Sequence, residues 1–278
     1  VTDYESNLFY FYQSGAINES FSDVWGEYYD QSNGLGTDTP AVKWLIGEDV
    51  SGSTPIRSMS NPPTYGDPDK MSSANYDESD LDNGGVHTNS GVNNKAVFLM
   101  VDGGSFNSKT VSALGWDKTA AIYYEAQTNL LSSGADYSDL YYALQQACAN
   151  LGLTAGDCQQ VKNALDAVEM NSQPAAGFNP DAPICAAGTY PTPLFQDDME
   201  SGTSNWAITN AWSLQSGYAS SPVYMWYGDD YYPSSESALT MANGVLLPSS
   251  SSMYLHFKHA FAFEYDAGGN YDGGVLVY

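Results

Sequence analysis

The stretch GAINESFSDVWGEYYD, residues 15–30, decides how the first half of the chain folds. Ile17, Phe21 and Val24 recur at three- and four-residue spacing with Trp25 beside them, which is the stripe of an amphipathic helix. Glu19 and Asp23 lie four apart, so the same helix stacks two carboxylates on one face. A plain reading makes them an acid near the helix start and a solvated acid. The sharper reading makes them a half-buried pair that holds something, with the rest of the site contributed by other segments.

Working outward, helical spacing covers residues 1 to about 31, broken at QSG, and a polar, Gly- and Pro-rich segment follows from Ser32 to Gly85. That segment contains NPPTYGDPD, which predicts loop and turn. Helical texture returns in VNNKAVFLMVDGG, where Val92, Ala96, Val97, Leu99 and Met100 form a broad apolar face that ends at paired glycines. GWDKTAAIYYEAQTNLL, YSDLYYALQQACANL and AGDCQQVKNALDAVEM extend it. The expectation is a mainly α-helical lobe over 1–171, a linker over 172–193 and a truncated all-β sandwich over 194–278. In that last part MYLHFKHAFAFEY and GGVLVY read as strands. The chain stops inside an apolar run at Tyr278.

Composition narrows the partners. Eight Lys and Arg face 33 Asp and Glu, a formal charge of −25 over 278 residues. Such a surface repels nucleic-acid phosphates and anionic membranes, and it attracts cations such as calcium. No apolar run reaches transmembrane length. Cys148 and Cys158 bracket a short loop between two helical runs and can close a disulfide, leaving Cys185 over. The chain reads as extracellular yet opens on neither a basic nor a hydrophobic leader, which implies that Val1 is not the start of the gene product.

Three stretches carry a resemblance. VTDYESNLFYFYQSGAINESFSD, RSMSNPP followed by YGDPD, and DNGGVHTNSGVNNKAV stand in the order found in thermolysin-like zinc metallopeptidases, over residues 1 to about 170. The resemblance implies the C-terminal half of such a catalytic domain, from a secreted zinc-dependent endopeptidase acting on proteins or peptides. It implies that Glu19 is the third zinc ligand. Asp23 is then the acid that accepts a hydrogen bond from a zinc-bound histidine, fixing its tautomer. His87 stabilises the oxyanion, Asp82 keeps His87 protonated and oriented, Tyr10 is a second oxyanion donor, and Arg57 bonds a substrate carbonyl. The two zinc-binding histidines of an HExxH helix are missing. In relatives that motif ends two residues before the position of Val1, so the chain needs the upstream half of its own domain and is expected to be inert alone.

Relatives also hold structural calcium near the segment from Glu27 to Asp49. Asp30, Glu48 and Asp49 match acidic positions there, while Lys43 stands where an aspartate is expected and suggests internal neutralisation of the acids. An insertion offers Asp38 as an alternative ligand. The β-segment, with Trp206, Trp212, Trp226 and the acidic DDMESG and YDGG, resembles accessory modules of secreted peptidases that bind sugar, protein or calcium; ordinary sandwich core is the plainer reading. The rival for the whole chain is a non-catalytic binding or structural protein that retains a peptidase-like lobe.

Overall fold

The computed structural model describes residues 2–50, 52, 54–79, 81–172, 192–209, 211–217, 219, 222–229 and 237–249, and 253, 255, 257–259, 265, 266, 269, 270 and 274–277 beyond them. Most of the expected linker, Cys185 and much of 250–278 lie outside the described residues.

Helix α1 (Tyr12–Asn33) carries the predicted apolar stripe but starts only at Tyr12 and runs unbroken through Gln13–Gly15, where the spacing predicts a break; before it, Thr2–Tyr4 form a 3-10 turn. Ile17, Phe21 and Val24 are fully buried, and Gly34 ends the helix in the left-handed conformation that glycine adopts without a side-chain clash. Between α1 and the next helix, β1 (Leu45–Ile46) pairs antiparallel with β2 (Arg57–Ser58), and a 3-10 turn forms at Pro62–Tyr65. Helix α2 (Asp82–Asn89) opens with four successive positive-φ residues, Asp82, Asn83, Gly84 and Gly85. The paired glycines are required twice over. Besides their φ values, a Cβ on Gly84 would lie 2.3 Å from the Tyr12 ring, and one on Gly85 would lie 2.7 Å from Asp77 Cβ.

Helix α3 (Gly91–Asp102) buries Val92, Ala96, Val97, Leu99 and Met100 as expected and ends at Gly103, φ 74°. A hairpin of β3 (Gly104–Phe106) and β4 (Lys109–Val111) leads into α4 (Gly115–Glu125), which continues as a π turn over Ala126–Leu130. Helices α5 (Tyr137–Asn150) and α6 (Ala155–Ala167) each start with a reciprocal capping box, Asp136 with Asp139 and Thr154 with Asp157. Cys148 and Cys158 close the disulfide that joins them, with Cα atoms 5.7 Å apart. The core of this lobe gathers Ile17, Phe21, Met100, Tyr123, Tyr137 and Leu165, all essentially sealed from solvent.

Beyond residue 200, β5 (Trp206–Ile208) pairs with β8 (Leu239–Met241), and β6 (Trp212–Ser216) with β7 (Tyr224–Gly228), all antiparallel. Residues 1–182 and 197–243 make one compact unit, which holds the helices and these two ladders. A second unit comprises 183–196 and 244–278, where β9 (Tyr265–Asp266) meets β10 (Gly269–Asn270). Among the described residues every ladder is two-stranded, so no packed pair of sheets is assembled. Residues 253, 255, 257–259 and 274–277 make no ladder, against the strand reading of that stretch. Alternation marks a chain able to pair, but a strand also needs a neighbour for its backbone groups.

Candidate active site and acidic cluster

Glu19 and Asp23 share α1, yet they bond different side chains. The Tyr10 hydroxyl, on the segment leading into α1, donates to Glu19 Oε1 in a very short contact. His87, on α2, places Nε2 3.5 Å from Glu19 Oε2 and 3.3 Å from the Tyr10 oxygen. On the far side of the ring, Nδ1 lies 2.7 Å from Asp82 Oδ1, while the His87 backbone N–H donates to Asp82 Oδ2 at 3.0 Å. Burial works to raise the Asp82 pKa, but the hydrogen bonds and charge of His87 outweigh it and hold the carboxyl below its ordinary value. An ionised Asp82 requires the proton on Nδ1, so Nε2 faces the cleft and is a donor in the imidazolium form. Burial, with the bond to Glu19 and the charges of Glu19 and Asp82, raises Tyr10 above the usual phenol range, so its hydroxyl stays protonated.

Asp23 turns the other way. It receives Arg57 through two parallel bonds, Nε to Oδ2 at 2.9 Å and Nη2 to Oδ1 at 2.7 Å, and Asn94 Nδ2 adds a third at 2.8 Å. Its side chain is only 5% exposed, against 18% for Glu19. Burial would lower the Arg57 pKa, yet the bonds and charge of Asp23 hold it above its ordinary value. Close by, burial pushes Asp67 up to about 7, with the Arg57 charge opposing and the Asp23 charge adding. Spacing along α1 did not separate Glu19 from Asp23, because their partners arrive from different elements. Asp67 and Asn94 escaped the sequence reading. The one signal for Asn94 was an adjacent polar pair, Asn93–Asn94, inside an otherwise apolar helix.

The acidic cluster is rearranged too. Ligand-capable oxygens of Asp30, Asp38 and Glu48 lie within 4.8 Å of one another, so Asp38 joins the group and Asp49 does not. Asp49 Oδ2 instead accepts the Thr37 backbone N–H at 3.1 Å. Asp30 Oδ2 and Glu48 Oε1 are buried without a hydrogen-bond partner. Burial, then the charges of neighbouring acids, raises both carboxyls, and burial pushes Glu27 up to about 8. Lys43 does not neutralise this cluster: its Nζ pairs with Asp102 at 2.7 Å, beside the Trp44 Nε1–H bonded to the same carboxylate. Asp23, Glu27, Asp30, Glu48, Ile46 and Val50 line a cavity of about 250 Å³ there.

In the later strands, Asp197 accepts from Met199 N, Asn205 Nδ2 and Trp206 Nε1, so this acid of DDMESG is used within its own turn. Most of the YDGG stretch lies outside the described residues.

Residues 6–170 match the family model described as the thermolysin metallopeptidase, alpha-helical domain. The chain belongs to the thermolysin metallopeptidases. Among its relatives in that family, a zinc metalloproteinase of Renibacterium salmoninarum is 46% identical over 180 residues, covering 60% of this chain and 32% of its own length. Bacillolysin of Bacillus cereus is 40% identical over 179 residues, 62% of this chain and 30% of the relative. Thermolysin of Alicyclobacillus acidocaldarius is 42% identical over 178 residues, with 60% and 30% covered. The chain therefore spans about a third of the curated relatives it matches. The solved precursor of protealysin, a metalloproteinase from Serratia proteamaculans, aligns at a TM-score of 0.50 and 32% identity, over 61% of this chain and 54% of that one. The thermolysin-metallopeptidase match covers α1 to α6 and ends before β5. The family implies zinc in the intact enzyme. On this chain the donor set fits it in part, because Glu19 presents to the cleft, beside His87 and Tyr10, a carboxylate of the kind zinc accepts, where a catalytic zinc needs three protein ligands.

Proposed function

We propose that this chain supplies the helical half of a zinc endopeptidase site, with the two remaining zinc ligands and the general base on an HExxH helix upstream. The observation that carries the reading is the convergence of Tyr10, Glu19, His87 and Asp82, drawn from three separate elements, on one cleft. A bound zinc would polarise a peptide carbonyl and lower the pKa of a bound water. Glu19 would give one carboxylate oxygen to the metal. Asp82 holds the Nδ1 proton of His87; with Glu19 turned to the metal, the Tyr10 hydroxyl that here donates to Glu19 would be released, and it and the Nε2–H of a protonated His87 would be two donors to the charge developing on the carbonyl oxygen. One donor of this kind is worth about 3 kcal/mol in a transition state. Asp23 would orient an upstream zinc-ligand histidine, and Arg57 would bond a substrate backbone carbonyl with the N–H groups that Asp23 leaves unused.

On this reading the chain alone is inactive, the full protein is secreted, and its substrates are proteins or peptides with an apolar residue after the scissile bond. Among the described residues no helix is long and apolar enough to cross a membrane. Calcium would sit on Asp30, Asp38 and Glu48, where two buried carboxylate oxygens lack partners. Residues 194–278 would belong to an accessory β-module. The rival is a non-catalytic lobe, and the intact Glu19–Tyr10–His87–Asp82 set weighs against it, since such groups contribute little to packing.

The test uses the full-length protein with zinc and casein. Cleavage that is abolished by a chelator, restored by zinc and cut at least a hundredfold in kcat by His87→Ala is expected. A full-length protein that binds no zinc and cleaves nothing would establish the non-catalytic lobe instead.

A further inference from the structure

Four buried side chains that the mechanism leaves unused form one line of hydrogen bonds. The Tyr123 hydroxyl donates to Asn93 Oδ1 at 2.7 Å, and Asn93 Nδ2 donates to Ser20 Oγ at 2.8 Å. The Ser20 hydroxyl donates to Asn94 Oδ1 at 2.6 Å, and Asn94 Nδ2 donates to Asp23 Oδ2 at 2.8 Å. Each of the four residues is at most 1% exposed. Every donor points the same way, and the line ends on a carboxylate.

The direction follows from the chemistry of the end groups. Asp23 pairs with a guanidinium, so it is ionised and can only accept. Asn94 must then face it with its N–H, since the flipped amide would set oxygen against oxygen. That leaves Asn94 Oδ1 for the single proton of Ser20, whose oxygen takes Asn93, whose own oxygen takes Tyr123. Stability alone does not call for such a line. Buried polar groups are costly unless bonded, and apolar side chains of similar shape could fill the same space at nearly equal stability.

The end point explains it. An ionised carboxylate has about four acceptor positions. Oδ2 receives Asn94 and Arg57 Nε, and Oδ1 receives Arg57 Nη2. One position remains, on Oδ1. We infer that Tyr123, Asn93, Ser20 and Asn94 are positioning residues: they hold the Asp23 carboxylate so that its last acceptor position is kept for the ring N–H of the upstream zinc-ligand histidine, and so that Arg57 is held for substrate. This inference rests on the proposed zinc site.

The test measures zinc dissociation constants of the full-length protein by competition with a chromophoric chelator, together with KM, kcat and melting temperature. Asn94→Ala should weaken zinc about tenfold, the low end for a contact behind a metal ligand. Ser20→Ala should weaken it less, and Tyr123→Phe, which removes one oxygen and keeps the fold, least, with KM rising in the same order. The double variant Asn93→Leu/Tyr123→Phe should regain the melting temperature lost by Asn93→Leu alone and still bind zinc more weakly than wild type. Variants that melt lower but keep wild-type zinc affinity and KM would overturn the positioning role and leave the zinc site standing. A wild-type protein that takes up no zinc would end both.

Discussion

Asp67 gives the sharpest test of the electrostatics around Arg57. Its carboxyl, 8% exposed, is pushed up to about 7 chiefly by burial. In the unfolded chain the same group titrates near 3.8. The folded state thus keeps a proton that the unfolded state has released, and stability falls as pH rises between those two values. The contribution is intact below about pH 3.8 and lost as pH climbs through 7. Integrating a single site with these pKa values, Asp67 alone removes about 2.6 kcal/mol between pH 5 and pH 8. Asp67→Asn keeps the shape of the side chain and cannot titrate. Urea denaturation followed by far-ultraviolet circular dichroism, at pH 5 and pH 8, should show the variant gaining about 2–3 kcal/mol on wild type between the two. The contribution of Glu27, which runs in the same direction, cancels in that difference. An equal gap between variant and wild type at both pH values would refute the reasoning, since it would mean that Asp67 ionises as easily folded as unfolded.

Other perturbations read other parts of the lobe. Reducing the Cys148–Cys158 disulfide, or replacing both cysteines by alanine, should cost about 2.7 kcal/mol from loop entropy over the ten-residue separation, seen as a lower urea midpoint; an unchanged midpoint would count against it. Gly84→Ala should cost more than about 1 kcal/mol, because φ is 86° and the new methyl meets the Tyr12 ring, and wild-type stability would show that the turn relaxes freely. Calcium at ten times its dissociation constant should add about 1.4 kcal/mol to stability, reversed by a chelator and absent in Asp30→Asn/Glu48→Gln. A melting point indifferent to calcium would leave the acidic cluster without an ion.

How much of this was legible in the sequence depends on how far each contact reaches. The helices follow from local spacing, so α3 to α6 stand where periodicity put them, whereas α1 starts only at Tyr12 and passes through QSG without a break. DNGG announced a turn, and the structure adds that four consecutive residues take positive φ there. The roles of Tyr10, Glu19, Asp82 and His87 came from motif order, and their meeting in one cleft needed the tertiary fold. Lys43 shows the limit most clearly. Its position beside acidic residues in sequence suggested internal neutralisation, but Trp44 and Lys43 together reach Asp102, 58 and 59 residues on. The line from Tyr123 to Asp23 joins α1, α3 and α4, and no window of sequence contains it.

The two carboxylates of α1 also show why a metal would choose one and not the other. Asp23 is already neutralised, with a guanidinium on both oxygens and an amide behind it, at 5% exposure. A second cation there would have to displace Arg57, which has no other carboxylate ion partner among the described residues. Glu19 is more open, and the imidazole beside it is committed through Nδ1 to Asp82. Glu19 itself is held by a phenol hydroxyl that can donate but cannot neutralise it. The Glu19 charge reaches Arg57, but Arg57 is paired with Asp23, so Glu19 has no Lys or Arg ion pair among the described residues. On the proposed reading a divalent cation shared with an upstream segment would supply positive charge at Glu19, and in that arrangement an open Glu19 and an enclosed Asp23 on one helix face both make physical sense.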